Sequence, residues 1–259
     1  MLNLEKLKTV TLEPCYLGGT GRKFFITIDG KKYIYKPAED RYYHQKEPFR
    51  GLVQEAAYKI QNIIDSETSV YCTYVDNGIL QGSIQEYIDI KNPNLLFFEP
   101  KDLTESQIND VLREFVTDFL LCNYDCHANN MIIDQNGRIR GIDKEQSFRY
   151  INRQEAERPN LSFHPNQKYG ELPPYYYAFF QAVKEKEIDI NLDVLNSYLD
   201  KVDALDNSEF QEILNPYIEA LPITKEEKQA LQEKILYRKI NMRDNINQFI
   251  DSLDLQRKK

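Results

Sequence analysis

No stretch of the 259-residue chain reaches the apolar length of a membrane-spanning helix. The opening MLNLEKLKTV alternates apolar with charged residues where a secretion signal needs an unbroken apolar core. The compartment these absences lead one to expect is the cytoplasm. Cysteine is scarce: Cys15, Cys72, Cys122 and Cys126 are too few to staple a chain this long, and they read as reduced thiols. Cys122, Cys126 and His127 lie close together, but the fourth ligand and the paired-knuckle spacing of a zinc site are missing, and zinc is set aside. Glycine numbers only 10, and repeats and low-complexity tracts are absent. With 41% hydrophobic and 29% charged residues, this excludes a fibrous or disordered chain. Basic residues are outnumbered, 33 against 41, for a net charge of −8. Such an acidic chain excludes broad docking on nucleic acid or anionic lipid.

What is present is a change of pattern along the chain. Residues 22–28 and 31–36 are rich in Phe, Ile and Tyr, and Asp29-Gly30 between them is the dipeptide that a two-residue hairpin favours. From Pro48, the residues Phe49, Leu52, Val53, Ala56, Ala57, Ile60, Ile63 and Ile64 recur at helical spacing. Residues 69–74 and 79–88 return to strand composition around Asp76-Asn77-Gly78. Beyond Pro93 and Pro100, Thr104 and Gln107 form a capping box that opens a helix with Ile108, Val111, Leu112, Phe115, Val116, Phe119 and Leu120 on one face. A polar stretch, 123–130, precedes short strands at 131–133 and 138–142. Residues 144–174 read as loop, and helices resume at Tyr175, where Tyr175, Tyr176, Tyr177, Phe179 and Phe180 read as core. The last helix is predicted from Thr224, with Glu227 completing a second capping box, to about Leu253. The expected architecture is α+β: a small β-rich N-lobe over 1–90, a larger, mainly helical C-lobe over 91–259, and a cleft between them.

Six features in this order carry chemistry. Gly18-Gly19-Thr20-Gly21 precedes the first hairpin strand, where missing side chains let backbone N–H groups approach phosphate, or where the chain simply turns. Lys36 ends the second strand and Glu55 lies on the following helix. Either Glu55 orients Lys36 toward nucleotide phosphates, or it pairs with Lys59 one helical turn away. A connector follows. Then Asp125 is followed five positions later by Asn130, and Asp143 ends the next hairpin. That spacing holds a base near an acceptor hydroxyl and two oxygen donors near Mg²⁺; the same residues also serve as turn and capping groups.

The set resembles the atypical protein-kinase-like group that includes the phosphatidylinositol 3- and 4-kinases and the HipA-like kinases, whose catalytic loop reads Asp-Arg-His-x-x-Asn. Here that loop is Asp125-Cys126-His127-Ala128-Asn129-Asn130. The resemblance extends over residues 17–150, through Tyr35-Lys36-Pro37, Gln54-Glu55-Ala56-Ala57-Tyr58 and Gln85-Glu86-Tyr87-Ile88. It implies a two-lobed protein-kinase-like fold that binds ATP and Mg²⁺. By it, Gly18, Gly19, Thr20 and Gly21 lie against phosphates, Gln85, Glu86 and Tyr87 against adenine, and Asn130 and Asp143 on the metal. Asp125 is then the base, paired Lys36 and Glu55 hold the phosphates, and His127 supports the loop. Three departures stand out: Cys126 replaces the arginine, Lys144-Glu145 replaces Phe-Gly after Asp143, and the glycine turn is short. The acceptor expected is a protein Ser or Thr. Alternatives are a phosphoinositide, a small molecule of the aminoglycoside type, or no acceptor, as in a nucleotide-binding pseudokinase.

Overall fold

The computed structural model describes residues 7, 9–17, 21–39, 46–92, 99–123, 125–149, 151 and 174–253. A five-stranded antiparallel sheet comprises β1 (Glu13–Pro14), β2 (Phe24–Ile28), β3 (Lys31–Pro37), β4 (Cys72–Asp76) and β5 (Gln81–Glu86), in the order β1-β2-β3-β5-β4. Asp29 and Gly30 take φ of 53° and 76° at the β2–β3 turn. Both central residues of a primed turn need positive φ, which is why Asp-Gly fixes the hairpin here. Helix α1 (Pro48–Ile64) crosses the back of the sheet.

The chain then enters a second, three-stranded antiparallel sheet of β6 (Ile90–Asn92), β7 (Met131–Asp134) and β8 (Ile139–Gly141). Strand β5 stops at Glu86, earlier than strand composition suggests, because Ile90 pairs with Asp134 of the helical lobe instead of continuing the first sheet. Between β6 and β7 runs α2 (Glu105–Leu120), opened by the reciprocal hydrogen bonds of Thr104 and Gln107. The remaining helices are α3 (Pro174–Lys184), α4 (Leu192–Ala204), α5 (Asn207–Ala220), α6 (Lys225–Ile240) and α7 (Met242–Asp251). The last two correct the single terminal helix expected from Thr224 onward. The helix breaks at Asn241, whose side-chain amide donates to the Tyr237 carbonyl at 2.8 Å. The break turns Met242, Ile246, Phe249 and Ile250 inward, and the Phe249 ring meets Phe180 at 4.8 Å.

Among the described residues, two buried clusters result. A small one lies under the first sheet, around Ile26, Tyr33, Tyr35, Val75 and Ile84. The larger gathers α2 to α7 and also takes the apolar face of α1, through Val53, Ala57, Ile60 and Ile64. Phe115 sits at its centre against Tyr176, Phe180 and Phe249. Truncating a buried phenylalanine of this kind typically destabilises by about 3 to 5 kcal/mol. Among the described residues no helix is long and apolar enough to cross a membrane.

Candidate active site

Of the residues singled out by sequence, Lys36, Asp125, Asn130 and Asp143 come together where β3, β8 and the 125–130 loop meet. Lys36, near the end of β3, reaches Asp143 Oδ1 with its Nζ at 2.7 Å, although the two are far apart in the chain. Asp143 follows β8 with φ of 60°, a left-handed backbone uncommon for a non-glycine residue though less so for aspartate. Burial opposes ionisation of Asp143, but the charge and hydrogen bond of Lys36, with Lys23 and His127 beyond, hold its carboxyl below the usual range. For Lys36, burial works the other way, and the charges of Asp143 and Glu145 outweigh it, so its ammonium is held above the ordinary lysine value.

The helix partner is not the expected one. Glu55 pairs with Lys59 at 3.0 Å and accepts the Tyr74 backbone N–H at 3.0 Å, so the Lys36–Glu55 ion pair is absent. The cause is helical phase: adjacent residues point about 100° apart, and Gln54, not Glu55, faces the cleft. Gln54 is buried, donates from Nε2 to Asp143 Oδ1 at 3.2 Å, and accepts at Oε1 from Ser83 at 3.1 Å and from the Cys72 thiol at 3.7 Å. Sequence reasoning missed this residue although it adjoins the one chosen.

The 125–130 loop is closed by its own side chains. Asn130 donates from Nδ2 to the Asp125 carbonyl at 2.7 Å, and the Asp125 N–H donates to Asn123 Oδ1 at 3.2 Å. The Ile142 N–H donates to the Asn130 carbonyl at 2.8 Å, which brings the loop alongside the strand that ends at Asp143. Cys126, where the resembling kinases have arginine, points inward: it is buried and its thiol donates to the Asn123 carbonyl at 2.9 Å. The substitution thus removes a charge without opening the loop. His127 is half exposed, with Nε2 3.7 Å from Asp125 Oδ1. Burial raises the Asp125 carboxyl above its ordinary value, with Asp143 adding to this and His127, Arg149 and Lys36 opposing it.

Of the nucleotide-facing expectations, Gly18, Gly19 and Thr20 lie outside the described residues. Gly21 is exposed, with open space around its Cβ direction. Gln85, Asp143, Gln54, Tyr58, Cys72 and Lys144 line one small pocket. Glu86 is engaged within the sheet, its carboxylate pairing with Lys31 at 2.9 Å and accepting the Tyr71 N–H at 2.9 Å. The Tyr87 ring stands edge-on to Phe25 at 5.6 Å. Among the described residues, no cluster of three His, Cys, Asp or Glu side chains forms a metal cage. The donor set present nonetheless suits a hard cation that takes the rest of its shell from phosphate and water. Asp143 is held ionised, and Asn130, its Nδ2 spent on the Asp125 carbonyl, offers Oδ1.

Behind Asp143 lies a second set of charges, of which the sequence shows only Lys144, as a departure from the resembling kinases. Lys144 is buried and donates to Glu114 Oε2 at 2.9 Å and Asp118 Oδ1 at 2.5 Å, both on α2. Glu114 also accepts from Arg113 at 2.9 Å, Gln61 at 2.8 Å and the Gly141 N–H at 3.0 Å. Asp118 accepts from Asn123 at 2.9 Å and from the Tyr176 hydroxyl at 2.8 Å. The signal was available: Glu114 and Asp118 interrupt the apolar run of a buried helix, and buried charges are retained only when paired.

The family model described as the LepB N-terminal domain matches residues 103–258. No curated protein matches the chain by sequence. Among solved structures, it is similar to HipA of Shewanella oneidensis MR-1, from a toxin–antitoxin complex of HipA, HipB and operator DNA, at 14% identity and a TM-score of 0.50, covering 96% of this chain and 72% of that one. It is also similar to the proinflammatory kinase CtkA of Helicobacter pylori, at 16% identity and a TM-score of 0.45, covering 88% and 92%. The fold is the mixed α+β, two-lobed kinase-like one that the sequence leads one to expect.

Proposed function

We propose that this chain, which belongs to the LepB N-terminal domain family, is an ATP- and Mg²⁺-dependent kinase that transfers the γ-phosphoryl group to a hydroxyl. The observation that carries the reading is the Lys36–Asp143 pair at 2.7 Å, with Asn130 and Asp125 on the loop beside it. Phosphoryl transfer asks little covalent work of a protein; it asks for fixed positive charge on the phosphates and a placed acceptor. Lys36, held charged, supplies the first and Gln54 fixes the carboxylate beside it. Asn130 and Asp143 would hold Mg²⁺, whose contribution is to neutralise phosphate charge. Asp125 orients the acceptor hydroxyl and takes its proton. The 18–21 turn would meet phosphates and the 85–87 segment adenine.

A protein Ser or Thr is the acceptor we favour, since a net charge of −8 suits neither an anionic membrane surface nor a nucleic-acid partner. Operator DNA belongs to the Shewanella HipA complex and is not carried over. A cytoplasmic location completes this reading. The test is to incubate the wild-type protein and Asp143→Ala with Mg²⁺ and γ-labelled ATP, offering cell proteins, phosphoinositide vesicles and aminoglycosides in parallel. Label is expected in protein with the wild type only. At 100 times Kd, ATP with Mg²⁺ should stabilise the wild type by about 2.7 kcal/mol and Asp143→Ala not at all. Label in another acceptor would reassign the substrate. ATP binding without any transfer would leave a pseudokinase, and no binding would end the kinase reading.

A further inference from the structure

We infer that Asp118 is a positioning residue that sets the catalytic loop and the metal-binding aspartate together, with Lys144 and Asn123 as its two arms. This rests on the kinase reading above. One arm is Lys144, which immediately follows Asp143 and has its Nζ 2.5 Å from Asp118 Oδ1. A fully extended residue spans about 3.6 Å, so fixing the Lys144 side chain leaves the Asp143 backbone little room to relax from its left-handed φ of 60°. The other arm is Asn123, which donates from Nδ2 to the same Asp118 oxygen at 2.9 Å and accepts the Asp125 N–H with its Oδ1 at 3.2 Å. A single buried carboxylate oxygen is therefore one side chain away from each acidic residue of the site.

The surroundings keep this carboxylate in place. Its other oxygen accepts the Tyr176 hydroxyl at 2.8 Å, and Asp118 is 2% exposed, so it has no solvent to turn to. The neighbour on α2, Glu114, shares the Lys144 ammonium and is itself held by Arg113, Gln61 and the Gly141 N–H. Lys144 thus faces two carboxylates and both lie on one rigid helix. In this chain the segment after Asp143 is anchored by charge, where the resembling kinases place an apolar residue at the position after the aspartate. The consequence is a metal-binding carboxylate held in one place before any nucleotide arrives.

Two variants of the full chain, Lys144→Met and Tyr176→Phe, test this. Amide hydrogen exchange is read first, without nucleotide, over residues 123–130 and 141–149. Because Asp118 joins the two segments, each variant should speed exchange in both, at least 10-fold for Lys144→Met and about 3-fold for Tyr176→Phe. The second readout is the Mg²⁺ concentration that half-saturates ATP turnover. It should rise by similar factors, with kcat lowered and KM for the acceptor unchanged. Tyr176→Phe removes one hydroxyl, so it decides the matter should Lys144→Met not fold. Faster exchange confined to 141–149, or an unchanged Mg²⁺ requirement in a destabilised variant, would show the charges to be structural only and overturn the inference. Should the wild type prove unable to bind ATP, the kinase reading fails instead. The exchange comparison would still show whether Asp118 couples the two segments.

Discussion

Replacing Gly141 with alanine should be far more damaging than its size suggests. Gly141 lies in β8 with ordinary strand backbone, so the substitution introduces no conformational penalty of its own. A Cβ there would sit 2.0 Å from Glu114 Oε2, 2.6 Å from its Cδ and 2.8 Å from Lys144 Nζ. A carboxylate is the flexible end of a side chain and can normally swing aside. Glu114 cannot: it is fully buried and held by Lys144, Arg113, Gln61 and the Gly141 N–H. The methyl must therefore break contacts of a buried ion pair, a loss typically of about 3 to 5 kcal/mol. Gly137→Ala is the control. Gly137 has φ of 78° and nothing within 4 Å of its Cβ direction, so alanine there meets backbone strain alone, about 1 to 2 kcal/mol. Urea unfolding followed by far-ultraviolet circular dichroism measures both. Adding Glu114→Asp, which withdraws the carboxylate by about one bond length of roughly 1.5 Å, should recover part of the Gly141→Ala loss. Equal losses at the two glycines, or strictly additive effects of Glu114→Asp and Gly141→Ala, would refute the reasoning.

The corrected pairing on α1 makes its own prediction. Gln54→Ala should lower phosphoryl transfer at least 10-fold, whereas Glu55→Ala should leave transfer within about 2-fold and cost about 1 to 2 kcal/mol of stability from the lost Tyr74 and Lys59 contacts. Steady-state kinetics and urea unfolding of the two variants separate them, and the reverse ranking would restore Glu55 to the site. Asp125→Asn should keep ATP affinity near normal and reduce kcat by a factor on the order of 100 to 10,000; wild-type turnover would remove Asp125 as the base. Acid should weaken the fold through Glu114. Against the effect of burial, Lys144 and Arg113 hold its carboxyl down to about 2, below the ordinary 4.5. The folded value is the lower one, so this stabilisation is present above about pH 4.5 and is lost as pH falls toward 2. Asp118, whose carboxyl burial raises, offsets part of it. Unfolding free energies that stay flat from pH 6 to pH 3 would contradict that ledger.

How much of this was legible in the chain follows from how local each signal is. The β2–β3 hairpin is dictated by Asp29-Gly30, and the starts of α2 and α6 by Thr104 with Gln107 and Thr224 with Glu227; each is decided by residues within a few positions of one another. The nearness of Lys36 to Asp143 could be expected only by treating six features as one constellation. What stayed hidden depends on relative rotation. Choosing between Gln54 and Glu55 requires the phase of α1 against the sheet, and a heptad-like pattern of apolar residues fixes that phase no better than one position. Lys144 was readable as a departure after Asp143 but not as an anchor, because its partners lie 26 and 30 residues earlier on α2. The break at Asn241 left no proline or glycine to announce it, since Asn241 ends α6 in near-helical backbone with φ of −95° and ψ of 6°.

Helix α1 has two owners. Its Gln54 side is bonded to the sheet through Ser83, while Val53, Ala57, Ile60 and Ile64 are sealed into the cluster built by the helical lobe, and Lys201 of α4 donates to the Ile64 carbonyl at 2.6 Å. The sheet keeps only a small cluster of its own, and a few strands with so little apolar cover do not hold together in water. The two lobes are therefore expected not to separate as folding units. A fragment ending after β5 would carry α1 with its apolar face bare, and heating the whole chain should melt strands and helices in one calorimetric event. Exchange of lobes between relatives would succeed only where the seam is cut around α1 and not through its packing.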